Sequence, residues 1–325
     1  MQEAIEFHLE GMTRNGEAIP EPHLFSVRGS VCPDLLIGRE IPEPNRLISV
    51  LQLGTLDYAT GLRLQQRLVQ LRKDGRIGDA LLLLEHTPVI TLGRNAKAAN
   101  VIASAEQLAA RGVEIFECDR GGDVTFHGPG QIVGYPIFDL RGFTSTDAKR
   151  KTLGAVEFVR RLEEVLIRTC ADFRISTERV TGLTGVWTDP DPSGPEIVGT
   201  PTGSENRLHT GLGQAKIAAI GVHISRGVTS HGFALNVNTD LDYFDLIIPC
   251  GITSKPVTSM AKQLGQNLAL QEVAHSISRN FGRVFESQML WLEALDSLLG
   301  HSVGVPMKPP SELQKLHGEE DVFWV

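Results

Sequence analysis

The 325-residue chain has no apolar run approaching the roughly 18 residues needed to cross a bilayer, and its start, MQEAIEFHLEGMTRNG, lacks the basic-then-apolar order of a signal peptide. Neither a membrane span nor a secretory leader is expected, and a cytoplasmic address follows as the expectation. Cysteine is sparse: Cys32, Cys118, Cys170 and Cys250 stand far apart with no CxxC spacing, which excludes a disulfide scaffold and argues against a structural zinc site. Positive charge is not in excess. Lys and Arg number 31 against 39 Asp and Glu, a net charge of −8, and this excludes a broad basic surface for sequence-independent nucleic-acid binding. HExxH is missing, as is any His, Cys and carboxylate cluster at ligand spacing, so no metal is expected. No internal repeat is evident.

What is present is a hydrophobic content of 41% with 22% charged residues, enough to bury a substantial core. Residues 1–45, rich in Pro, Glu and Gly, read as an amino-terminal extension. From Leu47 the pattern turns regular. ISVLQLG reads as a strand, and DYATGLRLQQRLVQLRKDG as a helix with Leu64, Leu68 and Leu71 aligned and a stop at Gly75. ALLLLE and VITLG are short apolar runs between turn signals, as buried strands are. SAEQLAARG predicts a helix closed by Gly112, and VEIFECD and GQIVGYPIFDL predict strands on either side of the glycine-rich RGGDVTFHGPG. A helix from Lys151 to Cys170 is predicted to bury Leu153, Val156, Val159, Leu162 and Val165 or Leu166. Residues 189–214 read as a loop insertion, KIAAIGVHI and VTSHGFALNVN as strands, and 270–285 as a helix with Val273, Ile277, Phe281 and Phe285 aligned. Strands and helices interleave, so the expected class is α/β or α+β. The division drawn is an extension at 1–45, a catalytic domain at 46–290 and a carboxy-terminal tail at 291–325.

Three places could carry chemistry. RGGDVTFHGPGQ (120–131) packs four glycines with Arg120, Thr125 and His127; such a loop lets backbone N–H groups approach a ligand oxygen, or it is simply a decorated strand connection. It is neither a Walker loop nor a GxGxxG dinucleotide fingerprint. Lys216 opens an apolar strand, where an ammonium must reach solvent, find a partner or lose its proton more readily; the alternative is an ordinary strand-end lysine. Cys250, between Pro249 and Gly251, sits where the chain turns. It is either a nucleophile projecting into a cleft or a small buried hydrophobe. His127 and His231, beside glycine-rich segments, are acid–base or structural candidates.

Together, LLLLEHTPVITLGR (81–94), DRGGDVTFHGPGQIVGYPIFDLR (119–141), TGVW (184–187), KIAAIGVHI (216–224) and HGFALNVNTDLDYFDLIIPCGI (231–252) resemble the lipoyl(octanoyl) transferase family over roughly residues 46–290. The resemblance implies the catalytic fold of biotin and lipoate protein ligases, with mixed β-sheets flanked by helices around an acyl tunnel. It implies that Cys250 becomes an acyl thioester and that Lys216 lowers its pKa. It also implies a substrate site made by Arg120, Gly121, Gly122, Asp123, Val124, Thr125, Phe126 and His127, with Ala219, Ile220, Gly221, Gly232, Phe233 and Ala234. The expected donor is octanoyl-acyl carrier protein. The expected acceptors are lysines of the lipoyl domains of 2-oxo acid dehydrogenase E2 subunits and of the glycine cleavage H protein, with no ATP, no metal and a monomeric enzyme.

The residue types suit that chemistry. A free thiol is only a few per cent thiolate at pH 7, and a neighbouring ammonium favours the charged form. Exchange of one thioester for another, then aminolysis to an amide, runs without a nucleotide. Backbone N–H groups of the glycine-rich segments are candidates for holding the oxyanion. The acidic chain needs a local basic patch to meet acidic partners, and Lys149, Arg150, Lys151, Arg160 and Arg161 are candidates, the alternative being a solvated helix start. Two other functions compete: an ATP-dependent ligase of the same fold, and a silent acyl-binding module. Changing Cys250 to Ser separates them, because neither rival needs the thiol.

Overall fold

The computed structural model describes residues 46–188, 214–249 and 256–300. The 1–45 extension, Cys250, the 189–214 insertion up to residue 213 and the tail beyond 300 lie outside those residues. Along the chain run β1 (Leu47–Leu56), α1 (Tyr58–Lys73), β2 (Asp79–His86), β3 (Val89–Leu92), α2 (Ala105–Ala110), β4 (Glu114–Glu117), β5 (Val124–His127), β6 (Gln131–Ile137), α3 (Ala155–Asp172), β7 (Thr177–Val180), β8 (Leu183–Thr188), β9 (Lys216–Ser225), β10 (Val228–Asn236), α4 (Met260–Leu264), α5 (Leu270–Val284), β11 (Gln288–Leu292) and α6 (Ser297–Gly300).

Eight strands form one mixed sheet in the order β11-β1-β2-β6-β10-β9-β8-β7, and three more form a small sheet in the order β4-β3-β5. The expected mixture of sheets and flanking helices is what the chain adopts. β1 runs parallel to β2 and β11, whereas β2, β6, β10, β9, β8 and β7 are antiparallel neighbours. The run ALLLLE is continuous in sequence because β2 is covered on both faces. Leu81 and Leu83 enter one apolar cluster with α3 and α5, while Ala80, Leu82 and Leu84 enter another with Leu68 and Leu71 of α1. A third cluster, around Ile90, Leu108, Val124 and Phe126, fastens the small sheet to the 241–247 segment.

Local signals set the helix ends. Asp57 caps α1, accepting from the Thr60 backbone N–H at 2.8 Å, and Ser104 with Gln107 forms a reciprocal capping box on α2. In α5, Val273, Ile277 and Phe281 are buried as their spacing requires, and Phe285 follows just beyond the helix. In α3 the sequence reading is corrected: Val156 is 77% exposed, and the buried stripe is Phe158, Leu162, Val165 and Leu166. Those four keep the 3, 4 and 7 spacing of one helix face, which Val156 does not share with them. Three pieces were missed. β5 lies inside the glycine-rich segment, β7 and β8 form a hairpin, and β11 crosses position 290 to pair with β1, so the sheet runs past the boundary drawn from the sequence.

Candidate active site

The antiparallel pair β9 and β10 lays down a floor of very small residues, with Ala219 opposite Ala234 and Gly221 opposite Gly232. A Cβ on Gly232 would collide with the carbonyl oxygen of Gly134 on β6. The absence of side chains leaves an open trough above these strands. Over it stand β5 and its preceding loop, contributing Arg120, Gly122, Asp123, Thr125 and His127, while Val133 and Tyr135 of β6 extend the floor and Tyr58 completes the lining. The cleft encloses about 490 Å³ with its open mouth.

The loop over the cleft is held rigidly. Gly122 has φ 90°, a conformation that favours glycine, and its carbonyl accepts from the Asn95 backbone N–H at 3.1 Å. Arg120 is buried and its guanidinium is spent inward: Nε and Nη2 donate to Thr91 Oγ1 at 3.2 and 2.9 Å, Nη2 to the Thr91 carbonyl at 2.7 Å, and Nη1 to the Gly121 carbonyl at 3.0 Å. Arg120 is thus a strut for the loop. Asp123 likewise braces it, accepting from Asn100 Nδ2 at 2.6 Å and from the backbone N–H of Val124 at 2.8 Å. The Gly121 N–H is committed to the Val222 carbonyl at 3.0 Å, which ties the loop to β9.

A buried hydrogen-bond chain runs behind the cleft. Gln131 Nε2 donates to Asn236 Oδ1 at 2.8 Å and to the Phe126 carbonyl, so its Oε1 is an acceptor and His127 Nδ1–H donates to it at 2.8 Å. Asn236 Nδ2 donates to the Thr258 carbonyl at 2.9 Å, and the Thr258 N–H donates to the Lys216 carbonyl at 2.9 Å. One polar thread therefore connects His127 to Lys216. Beside it, His86 Nδ1–H donates to the Leu56 carbonyl at 2.9 Å, and its Nε2 accepts from the Tyr135 hydroxyl at 2.6 Å. Burial holds both imidazoles neutral, His86 down to about 4 and His127 to about 3. The Tyr58 hydroxyl, also buried, finds no oxygen or nitrogen partner among the described residues; the Cys118 thiol lies beside it.

Lys216 occupies the first position of β9 and is buried at 7% exposure, with Nζ 4.7 Å from the centre of the Trp187 ring. The ammonium lies against an aromatic face. The backbone N–H of Lys216 donates to the Pro256 carbonyl at 2.9 Å. Lys216, Pro249, Val257, Gln131, Asn236 and Phe244 line a smaller hollow of about 270 Å³ counted with its open mouth. Thr125, Ala219 and Ala234 belong to both walls, so the two hollows adjoin.

Of the residues singled out from the sequence, Arg120, Gly122, Asp123, Thr125, His127, Ala219, Ile220, Gly221, Gly232, Phe233 and Ala234 meet in the cleft, with Lys216 next to it. Cys250 lies outside the described residues, while its covalent neighbour Pro249 lines the Lys216 cavity. Gly121 is not in the wall. Val124 and Phe126 point the other way, into the third apolar cluster, because alternate residues of β5 face opposite sides. Tyr58, Val133 and Tyr135 were not singled out. The period-2 spacing of Val133 and Tyr135 was a usable signal; nothing local marks Tyr58. In the candidate basic patch, Arg160 and Arg161 are engaged with Glu163 and Glu157 at 2.7 and 2.8 Å.

The family model described as "Lipoyl protein ligase A/B catalytic domain" matches residues 57–282. A bipartite lipoate protein ligase from Thermoplasma acidophilum superposes with a TM-score of 0.55 over 78% of this chain and 91% of its own, at 14% identity. A lipoate-protein ligase A bound with ATP gives 0.51 over 76% and 88%, at 16% identity. These likenesses establish the fold. In sequence, the chain is 58% identical over 274 residues to an octanoyltransferase of Koribacter versatilis, covering 84% of this chain and 98% of that protein. It is 56% identical over 255 residues to an octanoyltransferase of Acidobacterium capsulatum, covering 78% and 96%. The chain belongs to the lipoyl protein ligase A/B family and, within it, to the octanoyltransferases, which are acyltransferases.

Proposed function

We propose that the chain transfers an octanoyl group from octanoyl-acyl carrier protein to a lipoyl-domain lysine through a thioester on Cys250, the acceptors being the lipoyl domains of 2-oxo acid dehydrogenase E2 subunits and the glycine cleavage H protein. One observation carries the reading. Pro249, bonded to Cys250, and Lys216 line one small cavity that adjoins the glycine-floored cleft. In the first half-reaction the Cys250 thiolate attacks the carrier thioester, a C–S bond forms, and the carrier thiolate leaves. In the second, the neutral amine of the acceptor attacks the Cys250 thioester, a C–N bond forms as the C–S bond breaks, and the proton lost by the amine passes to the departing Cys250 sulfur. The Lys216 ammonium favours the thiolate in both steps by charge. The cleft accepts the hydrocarbon tail, with roughly 0.8 kcal/mol for each methylene that finds apolar cover. No nucleotide or metal enters this scheme, which is that of a cytoplasmic monomer.

The fold is shared with ATP-using ligases, so the test must separate transfer from ligation. The full chain is incubated with octanoyl-acyl carrier protein without ATP and weighed intact and after digestion. The expected result is an octanoyl adduct on the peptide holding Cys250, discharged by added lipoyl domain. Modification of the domain that requires ATP and free octanoate or lipoate, with no adduct on the enzyme, would overturn the proposal.

A further inference from the structure

Ile248 and Pro256 stand on either side of the stretch that holds Cys250, and they are tied to different parts of the molecule. Downstream the anchor is Lys216. Its backbone N–H donates to the Pro256 carbonyl and its carbonyl accepts from the Thr258 N–H, both at 2.9 Å, with Val257 bridged to Lys216 between them. Upstream the anchor is the stretch 100–103. Ile247 bridges antiparallel to Val101, the N–H groups of Ile102 and Ala103 donate to the Leu246 carbonyl at 3.0 and 3.1 Å, and the Ile248 N–H donates to the Asn100 carbonyl at 2.7 Å.

That last bond lies two residues before Cys250, with Pro249 between. The proline ring fixes one of the two soft torsions of its residue, and it confines the preceding Ile248 to extended backbone. A displacement of Asn100 is therefore passed toward Cys250 with few torsions to absorb it.

Asn100 is buried and is itself held by one side chain, that of Asp123. Asn100 Nδ2 donates to Asp123 Oδ2 at 2.6 Å, while Asp123 Oδ1 accepts from the backbone N–H groups of Lys97 and Val124 at 3.2 and 2.8 Å. Hydrogen bonds to an ionised carboxylate are the strong ones. The stretch leading to Asn100 lies along the cleft loop: the N–H groups of Gly93, Arg94 and Asn95 donate to the carbonyls of Asp123, Arg120 and Gly122 at 3.3, 3.0 and 3.1 Å. A Cβ on Gly93 would strike the Gly122 carbonyl oxygen, so the contact leaves no room for a side chain there. Asp123 lines the acyl cleft and Pro249 lines the Lys216 hollow, so the Asp123–Asn100 contact joins the wall of one to the backbone of the other.

We infer, on the thioester reading of Cys250, that Asn100 and Asp123 are positioning residues whose contact sets the backbone entering Cys250 so that the thiol meets the Lys216 ammonium. Lys216 supplies the charge and the Asp123–Asn100 pair supplies the place. Misplacement of a reacting group by about 1 Å costs on the order of a hundredfold in rate.

Asn100→Asp sets carboxylate against carboxylate at this contact and breaks it. The double variant Asn100→Asp/Asp123→Asn exchanges donor and acceptor, keeps an amide oxygen for the Lys97 and Val124 N–H groups, and restores the bond. Asn100→Ala, which only deletes the donor, serves where the first variant fails to fold. The full chain is given octanoyl-acyl carrier protein over a range of concentration, and acyl-enzyme on the Cys250 peptide is followed by mass. Alkylation of the same peptide by iodoacetamide is followed against pH. The single variants are expected to lower the maximal rate roughly a hundredfold with KM little changed. The alkylation midpoint is expected to rise toward the ordinary thiol value of about 8.5, and the double variant to recover most of both. A loss confined to KM or to melting temperature, a midpoint that does not move, or a double variant no better than Asn100→Asp overturns the inference. If the wild-type protein forms no adduct on the Cys250 peptide, the thioester reading itself falls; an adduct that forms at the wild-type rate in every variant removes the positioning role alone.

Discussion

The two faces of the eight-stranded sheet are both buried, yet they are built from different materials. Against α3 and α5 lies a phenylalanine cluster, Phe138, Phe143, Phe158, Phe233, Phe281 and Phe285, with ring centroids 5.4 to 6.2 Å apart. Against α1 and β5 lie Gln65, His86, His127, Gln131, Tyr135, His231 and Asn236, all buried and mostly bonded to one another. The first face gains free energy from each ring it hides. The second gains little, because hydrogen bonds inside only replace those to water. What the polar face provides is position, since each partner restricts the rotation of the next.

That contrast is testable by damage. Phe158→Ala should cost about 3–5 kcal/mol in denaturant unfolding, with the specific activity of the folded fraction preserved. Its ring is fully buried against Phe138 and Phe285, on the face away from the cleft. Loss of specific activity in step with stability would mean the two faces are not separable.

A second prediction concerns acid. His86 and His127 are held at about 4 and about 3, against an ordinary 6.5. Below pH 6.5 the unfolded chain takes up protons that the fold refuses, so stability falls from pH 6.5 toward 4 and the His127 contribution continues to about 3. Glu157, drawn down to about 2 by bonds from Ser145, Thr146 and Arg161 that outweigh its burial, adds its own loss only below the ordinary 4.5. Between pH 6.5 and 5 His86 and His127 account for roughly 2 kcal/mol each, and His231, lowered by burial against the pull of Asp119, adds to the same fall. Urea unfolding across this window reads the slope; a flat profile would show the imidazoles already charged in the fold.

The smallest effect is expected for Tyr135→Phe, which leaves His86 Nε2 without its 2.6 Å donor. A buried acceptor left unmade costs about 1–3 kcal/mol. Here the catalytic rate should suffer more than the melting temperature, because Tyr135 lines the cleft. The reverse order would place this hydroxyl with the structural face.

Much of the apolar face was legible in the sequence, since hydrophobic periodicity is a local property. Val273, Ile277 and Phe281 mark α5 by spacing alone, and only the neighbouring helix was turned wrongly, at Val156. The polar face was legible in part. Its glycine-rich segment stood out, but the strand Val124–His127 inside it was hidden by the glycines around it, and with it the reason why Val124 and Phe126 leave the cleft. Asp119 and His231 are 112 residues apart and meet at 2.7 Å where His231 takes the left-handed φ of 55°. No local pattern announces a contact of that kind.

The pairing of Leu47–Leu51 with Gln288–Leu292 unites the first strand of the described chain with the last. For a polypeptide made from its amino end, this means that β1 gains β11 as a partner only after the roughly 240 residues between them have been made. Among the described residues, β11 is the partner on that side, and closing so long a loop is slow. Until β11 arrives, a strand edge that β11 will cover is a place where pairing with another chain can compete.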